Sequence, residues 1–372
     1  MNLLFLASRD WMDPGACGGD LCTTDYAREL AARGHRVTLL VSRYPGSPRE
    51  ETVLGVRILR PGRLFFLALW AFMYYLRRRQ EFDAVYQEGL ASLRLPFLAP
   101  LYVRKPLVTM WYQLHGAIFV EQYGQLRGRI LAFAERMLLA LHKRHIMLAL
   151  SEDRRQELIA HGFPHDRVRV VPPPMLDSCH GVAPEAERKP LVVWLGKIRR
   201  YKCPHHAVEA MAEVVREVPE ARLVIAGRRD DEKYETELRS LANRLGVANH
   251  VELRPNIPDD EKWALLASAR ALVITSPVEG FGIVSVEANQ CGTPTVATEG
   301  TPIDVVQDGH NGLRVSFGDR RGLASALVRL LTDRMLFDSM SRNAREHAAQ
   351  FTPDEVSRRL EESFAAATAR AA

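Results

Sequence analysis

The chain of 372 residues predicts an α/β fold built from two doubly wound parallel sheets in tandem. Three observations lead there. Strand-like apolar runs alternate with helix-like periodic segments through the first half, and the alternation restarts at Leu191 after a polar stretch. The length exceeds what one hydrophobic core usually holds, so two domains are expected. Runs such as Ala271-Leu-Val-Ile are apolar at every position, as buried parallel strands require.

In the first half, Asn2–Ala7 reads as a strand, followed by a glycine-rich loop over Ser8–Asp20. Thr23–Arg33 is amphipathic and closed by Gly34, and Arg36–Val41 is the next strand. A dinucleotide fold would place G-x-G-x-x-G after the first strand; the motif is missing, which argues against a nicotinamide dehydrogenase. Leu64–Arg79 is aromatic and apolar and ends in three Arg. It reads as a buried crossover helix with a solvated end, or else as an interfacial segment docking on anionic lipid. Phe82–Tyr86, Leu107–Trp111 and Ile146–Ser151 are strand-like, Leu131–His145 is helical, and Ser151 caps a further helix. Ser178–Lys189 is polar and reads as a linker.

The second half repeats the plan. Leu191–Leu195 is a strand, followed by Gly196-Lys197 and Lys202 and then by a helix over His206–Val218. Arg222–Ala226 is a strand, Tyr234–Leu245 a helix and Val251–Leu253 a strand before the loop Arg254-Pro-Asn-Ile-Pro258. Leu323–Leu331 and Met335–Gln350 are helical, and the tail Phe351–Arg370 is rich in Ala and Arg.

Composition narrows the function classes. The net charge of +5 fits anionic small substrates, an anionic membrane or nucleic acid equally well. Five scattered Cys with no Cys-x-x-Cys spacing predict neither a disulfide frame nor a zinc site, and a reducing cytoplasm is the simplest compartment. The N-terminus has no basic segment ahead of its apolar residues, so no secretion signal is expected. The longest apolar run, Leu64–Leu76, is too short to span a bilayer.

The richest stretch is Thr275–Val296, TSPVEGFGIVSVEANQCGTPTV. A buried strand leads into a turn, Glu279-Gly-Phe-Gly282, and a helix expected to begin near Gly282, with Glu287 in its second turn. The first N–H groups of a helix lack intrahelical partners and carry about +0.5 charge, which suits a diphosphate. Two Glu eight residues apart carry little information by themselves. The composite, with Gly292-Thr-Pro opening another strand, resembles the signature of the family 4 retaining glycosyltransferases. GGDLCTTDYARELAARGHRVTLL similarly resembles the opening βαβ unit of that family.

The resemblance implies two facing Rossmann-like domains, the GT-B fold, with a cleft between them. The expected limits are an acceptor-binding domain over 1–178, a linker over 179–189, a nucleotide-sugar domain over 190–350 and a returning helix over 351–372. It implies a nucleotide-sugar donor, a hydroxyl acceptor that includes lipid-linked ones, no cofactor, no metal and no nucleic acid. Catalytic candidates are Glu279, Lys197, Lys202 and His115, the last reading as a structural residue were it not for the family's His-Gly. Donor-binding candidates are Glu287, Gly18, Gly19, Phe281, Gly282, Ile283, Asn256 and Ile257. Relatives carry Gly-Arg-x4-Lys where Lys197 and Lys202 stand, and Pro-Asn-Gly-Val-Asp where this chain has Pro173 and Pro174. They also carry Gly-Gly-x-x-Glu where it has Gly300-Thr-Pro-Ile-Asp304. The expected location is cytoplasmic, peripheral at the membrane if 64–79 docks there. A nucleotide-sugar epimerase of the same fold and a non-catalytic sensor are the alternatives.

Overall fold

A computed structural model describes all residues except 17, 90–96, 113, 116–118, 121–122, 176–178, 180–187 and 372. Gly116, Glu121, Gln122 and most of the expected linker lie outside the described residues. The chain divides into two compact units, residues 1–174 with 353–372, and residues 175–352.

The first unit opens with β1 (Asn2–Leu6), α1 (Gly18–Ala32) and β2 (Arg36–Leu40), then a hairpin of β3 (Glu50–Val53) and β4 (Val56–Leu59). After these come α2 (Leu67–Arg78), β5 (Ala84–Glu88), β6 (Leu107–Trp111), α3 (Gln125–Leu141), β7 (Ile146–Ala149), α4 (Glu152–Ala160) and β8 (Val168–Val170). The sheet order is β3-β4-β2-β1-β5-β6-β7-β8, parallel except for the hairpin. That hairpin turns at Leu54 and Gly55, both with positive φ, a backbone that only a primed two-residue turn uses. The sequence reading assigns no element to it. Central β1 is buried from Leu3 to Leu6 and pairs Leu4 with Thr38 of β2 and Val85 of β5. Each aliphatic side chain so buried contributes about 1.5–3 kcal/mol.

Two helices start earlier than expected. α1 begins at Gly18 rather than Thr23, so the loop ends before the two glycines, which occupy the first turn. α3 begins at Gln125 rather than Leu131 and contains Gly128, where a Cβ would sit 2.4 Å from the Val120 Cα. Close backbone approach outweighs the low helix propensity of glycine there. α2 buries Leu67, Ala71 and Tyr75 along one stripe and leaves Leu69 and Trp70 exposed, as are Phe65 and Phe66 just before it. The crossover helix expected to be buried with a solvated end is thus buried along one stripe only.

The second unit contains β9 (Leu191–Leu195), α5 (Pro204–Glu217), β10 (Arg222–Gly227), α6 (Glu232–Arg244), β11 (Val251–Pro255), α7 (Asp259–Ser268) and β12 (Ala271–Ile274). α8 (Ile283–Gln290), β13 (Thr295–Thr298), β14 (Gly312–Val315), α9 (Arg320–Thr332) and α10 (Arg334–Ala348) complete it. All six strands are parallel, in the order β11-β10-β9-β12-β13-β14. The order reverses between β9 and β12, and in open parallel sheets ligands bind outside the carboxyl ends of strands at such a switch point. The last helix, α11 (Pro353–Ala371), belongs to the first unit, where Arg33, just after α1, meets its Asp354 and Glu361, both at 3.1 Å.

One expectation is overturned outright. Cys179 and Cys291, 112 residues apart, are joined as a disulfide. Their proximity is a product of tertiary folding that local spacing cannot reveal, and the cysteine-based argument for a reducing compartment falls with it.

Candidate functional site

In the second unit, the loops leaving β9 and β12 carry the expected groups to the switch point. After β9 the chain passes Gly196 and Lys197 and makes a short turn over Arg200–Lys202 before α5. After β12 it passes Thr275 to Phe281 and enters α8 through Gly282, whose φ of +93° is one that L side chains rarely adopt. The two loops are tied together. The Thr275 hydroxyl donates to the Lys202 carbonyl at 3.0 Å, and Trp194 Nε1 donates to that hydroxyl at 3.0 Å. Lys202 Nζ lies 2.7 Å from both carboxylate oxygens of Glu279.

The position of Glu279 depends on a glycine across from it. Its N–H donates to the Gly300 carbonyl at 2.9 Å, and a Cβ on Gly300 would lie 1.9 Å from the Pro277 oxygen. Phe281 is buried against Phe351, and the Ile283 N–H opens α8. Two buried hydroxyls nearby, Ser285 Oγ in the first turn of α8 and Thr301 Oγ1, have no hydrogen-bond partner among the described residues.

Glu287, in the second turn of α8, is held by a lysine the sequence reading does not single out. Lys262 of α7 donates to it at 2.8 Å and lies over the Trp263 ring. Burial pushes the Glu287 carboxyl up from the usual carboxylate range, and the lysine partly offsets this. Lys is scarce in this chain, seven against 43 Arg, and that scarcity was the available signal for Lys262 as for Lys197 and Lys202. Lys197 is half-buried and pairs with no described carboxylate. Asn256 adopts φ +58°, and its side chain accepts from the Arg229 N–H at 2.8 Å, fixing the loop after β11 that also carries Ile257.

In the first unit, Gly18 and Gly19 form the first turn of α1. A Cβ on Gly19 would meet the Tyr112 ring at 3.1 Å, while the Tyr112 hydroxyl donates to the Gly19 carbonyl and bonds Thr23 Oγ1 at 2.6 Å. His115 follows β6. Its N–H and its Nδ1 both meet the buried Glu135 of α3, at 3.0 and 3.1 Å, and its ring stacks on Phe119. Glu135, inside the apolar run of α3, is a second group the sequence reading misses; a lone carboxylate amid that run was its signal. Nearby, Glu88 accepts from the Ser8 N–H at 2.6 Å. Burial, with Asp20 beside it, raises the Glu88 carboxyl to about 8.

Two sheets of this topology, with a basic and carboxylate-bearing switch point in the second, define the GT-B class of α/β protein. Residues 18–175 match Glycosyltransferase Family 4 and residues 180–347 match Glycosyl transferases group 1. The chain belongs to this glycosyltransferase family. It is 34% identical over 215 residues to a D-inositol 3-phosphate glycosyltransferase of Acidothermus cellulolyticus, a match over 54% of this chain and 48% of that relative. The chain thus spans about half the length of that relative. A similarly described protein of Xylanimonas cellulosilytica is 26% identical over 96% of this chain and 93% of its own. Among solved structures, HepE of Anabaena in complex with UDP and glucose superposes with a TM-score of 0.73 at 20% identity, covering 98% of this chain and 99% of its own. Sucrose-phosphate synthase of Thermosynechococcus elongatus superposes at 0.76 with 19% identity, covering 97% and 98%.

Proposed function

We propose that this protein transfers a sugar from a nucleoside diphosphate sugar to a hydroxyl acceptor, with retention at the anomeric carbon and without a metal. The observation that carries the reading is the Lys202–Glu279 pair set beside the start of α8 at the β9/β12 switch point. As the anomeric bond breaks, charge grows on the diphosphate. Lys197, Lys202 and the free N–H groups from Gly282 onward stabilise it, an electrostatic preorganisation of the leaving group. On donor binding, Lys202 turns from Glu279 toward phosphate, and Glu279 accepts hydrogen bonds from the transferred sugar. Glu287, held in place by Lys262, accepts from the ribose hydroxyls. The acceptor hydroxyl attacks from the leaving-group face and passes its proton to the departing phosphate oxygen, so no enzyme nucleophile is used. Asn256 and Ile257 meet the base through backbone groups. In the first unit, Gly18 and Gly19 at the start of α1 and His115, held by Glu135, form a separate set of candidate substrate contacts.

The UDP in the HepE complex and the inositol phosphate in the relatives' descriptions make uridine donors and a phosphorylated polyol the first pair to assay. Incubating the purified chain with a panel of nucleotide sugars and acceptors separates the readings. Released nucleoside diphosphate with a glycosylated product supports transfer, a new sugar isomer means epimerisation, and binding without turnover means a sensor.

We also propose that the protein docks on an anionic membrane surface. None of the described helices is long and apolar enough to cross one. Support comes from exposed Phe65, Phe66, Leu69 and Trp70, next to Arg63 and Arg77 to Arg79. α3 adds an exposed stripe of Leu126, Ile130, Phe133, Met137 and Leu141, and every exposed charge on that helix is an arginine. Co-flotation with anionic vesicles at low salt, lost on replacing Phe65 and Phe66 by Ser, is the expected result. No flotation in wild type would remove the reading.

A further inference from the structure

The residue after Lys202 begins a second cluster. The chain reads Cys203-Pro-His-His, and Cys203, at the N-cap of α5, has a φ of +53° in the left-handed region that favours glycine. Cysteine at a position whose backbone suits glycine carries local strain, and such outliers concentrate where a side chain has a task. Sγ of Cys203 and one ring nitrogen from each of His205 and His206 lie within 4.8 Å of one another. The thiol is only 8% exposed, and both rings are half-buried.

The chemistry of these groups converges on a metal. The Tyr234 hydroxyl meets His205 Nδ1 at 2.6 Å and fixes that ring, the role outer partners play for ligating histidines. Arg200 and Arg320 would oppose a cation, but Arg200 is paired with Glu237 and Arg320 with Glu209. One thiolate with two imidazoles is a zinc donor set with a fourth position open.

We propose that Cys203, His205 and His206 bind one borderline transition-metal ion of the zinc(II) type, the thiol releasing its proton to solvent. The ion takes no part in transfer. It clamps the turn from Arg200 to Lys202, whose last carbonyl accepts from Thr275, and so sets where Lys202 can reach. This coupling rests on the donor reading above, whereas the metal site does not.

Cobalt(II) titration of the full chain, stripped of metal, tests the site by absorption. One equivalent should produce a thiolate-to-cobalt charge-transfer band in the near ultraviolet, displaced by zinc. Cys203→Gly, which the left-handed backbone accommodates, should melt no lower than wild type and lose the band. Cys22→Ser should keep it, and Tyr234→Phe should weaken binding by about 10- to 100-fold. No band in wild type, or a band that survives in Cys203→Gly, overturns the site. A nucleoside diphosphate Kd that shifts at least about threefold on adding zinc supports the coupling to Lys202. An unchanged Kd overturns that coupling and leaves the metal site standing.

Discussion

In the second unit Glu279 and Glu287 each face a lysine ammonium, at 2.7 and 2.8 Å, whereas in the first unit Glu88 lies buried beside Asp20 and is held by the Ser8 N–H. The paired carboxylates each have a cationic partner fixing their orientation, and their oxygens can accept hydroxyl donors. Glu88 instead binds a proton tightly at the carboxyl end of β5. The difference is one of burial against available cations. Near Glu287 a scarce lysine offsets part of the desolvation, and near Glu88 a second carboxylate adds to it.

Breaking the paired side should have the largest effect. Glu279→Gln should keep nucleotide binding and lower kcat by about 10²–10³-fold, in the range seen when one preorganised transition-state contact is lost. Steady-state assays with donor saturating measure it, and unchanged turnover would remove Glu279 from the site. Lys262→Met should strand Glu287 as an uncompensated, largely buried charge, lowering stability by about 3 kcal/mol in urea unfolding. A loss no larger than that of Lys233→Met, at an exposed lysine of α6, would mean the pair contributes little.

The unpaired side predicts a pH effect. Glu88 has a folded value raised from 4.5 to about 8, so it binds its proton more tightly folded than unfolded. Its stabilising contribution is fully present below about 4.5 and is lost as pH rises through about 8, with a slope of roughly 1.4 kcal/mol per unit at most. Glu88→Gln should flatten the dependence of Tm on pH across that window; equal slopes in both proteins would count against a protonated Glu88. The smallest effect is expected of Glu135→Gln. It loosens the hold on His115 and should lower kcat/KM by about tenfold or less with Tm nearly unchanged. A drop in stability with kcat/KM unchanged would mark Glu135 as structural only.

The sheets and the strand–turn–helix course of the Glu279–Glu287 segment were legible because short all-apolar runs and bracketing glycines report local geometry directly. α8 starts where the orphan N–H argument puts it, at Gly282. What escaped was set by tertiary contact. α7, which carries Lys262, has little amphipathic pattern of its own, and Glu135 lies twenty residues from the His115 it orients. The β3–β4 hairpin turns on Leu54, a residue with no turn signature, and the Cys179–Cys291 bond spans most of a domain in sequence.

The central claim is that Lys202 grips the diphosphate of the donor. Calorimetric titration of wild type and Lys202→Ala with a nucleoside diphosphate, and separately with the bare nucleoside, tests it most directly. Losing a charge-assisted contact of about 1.5–3 kcal/mol should weaken diphosphate binding by roughly 10- to 150-fold and leave nucleoside affinity unchanged. Equal losses for both ligands, or no loss for either, would contradict the account.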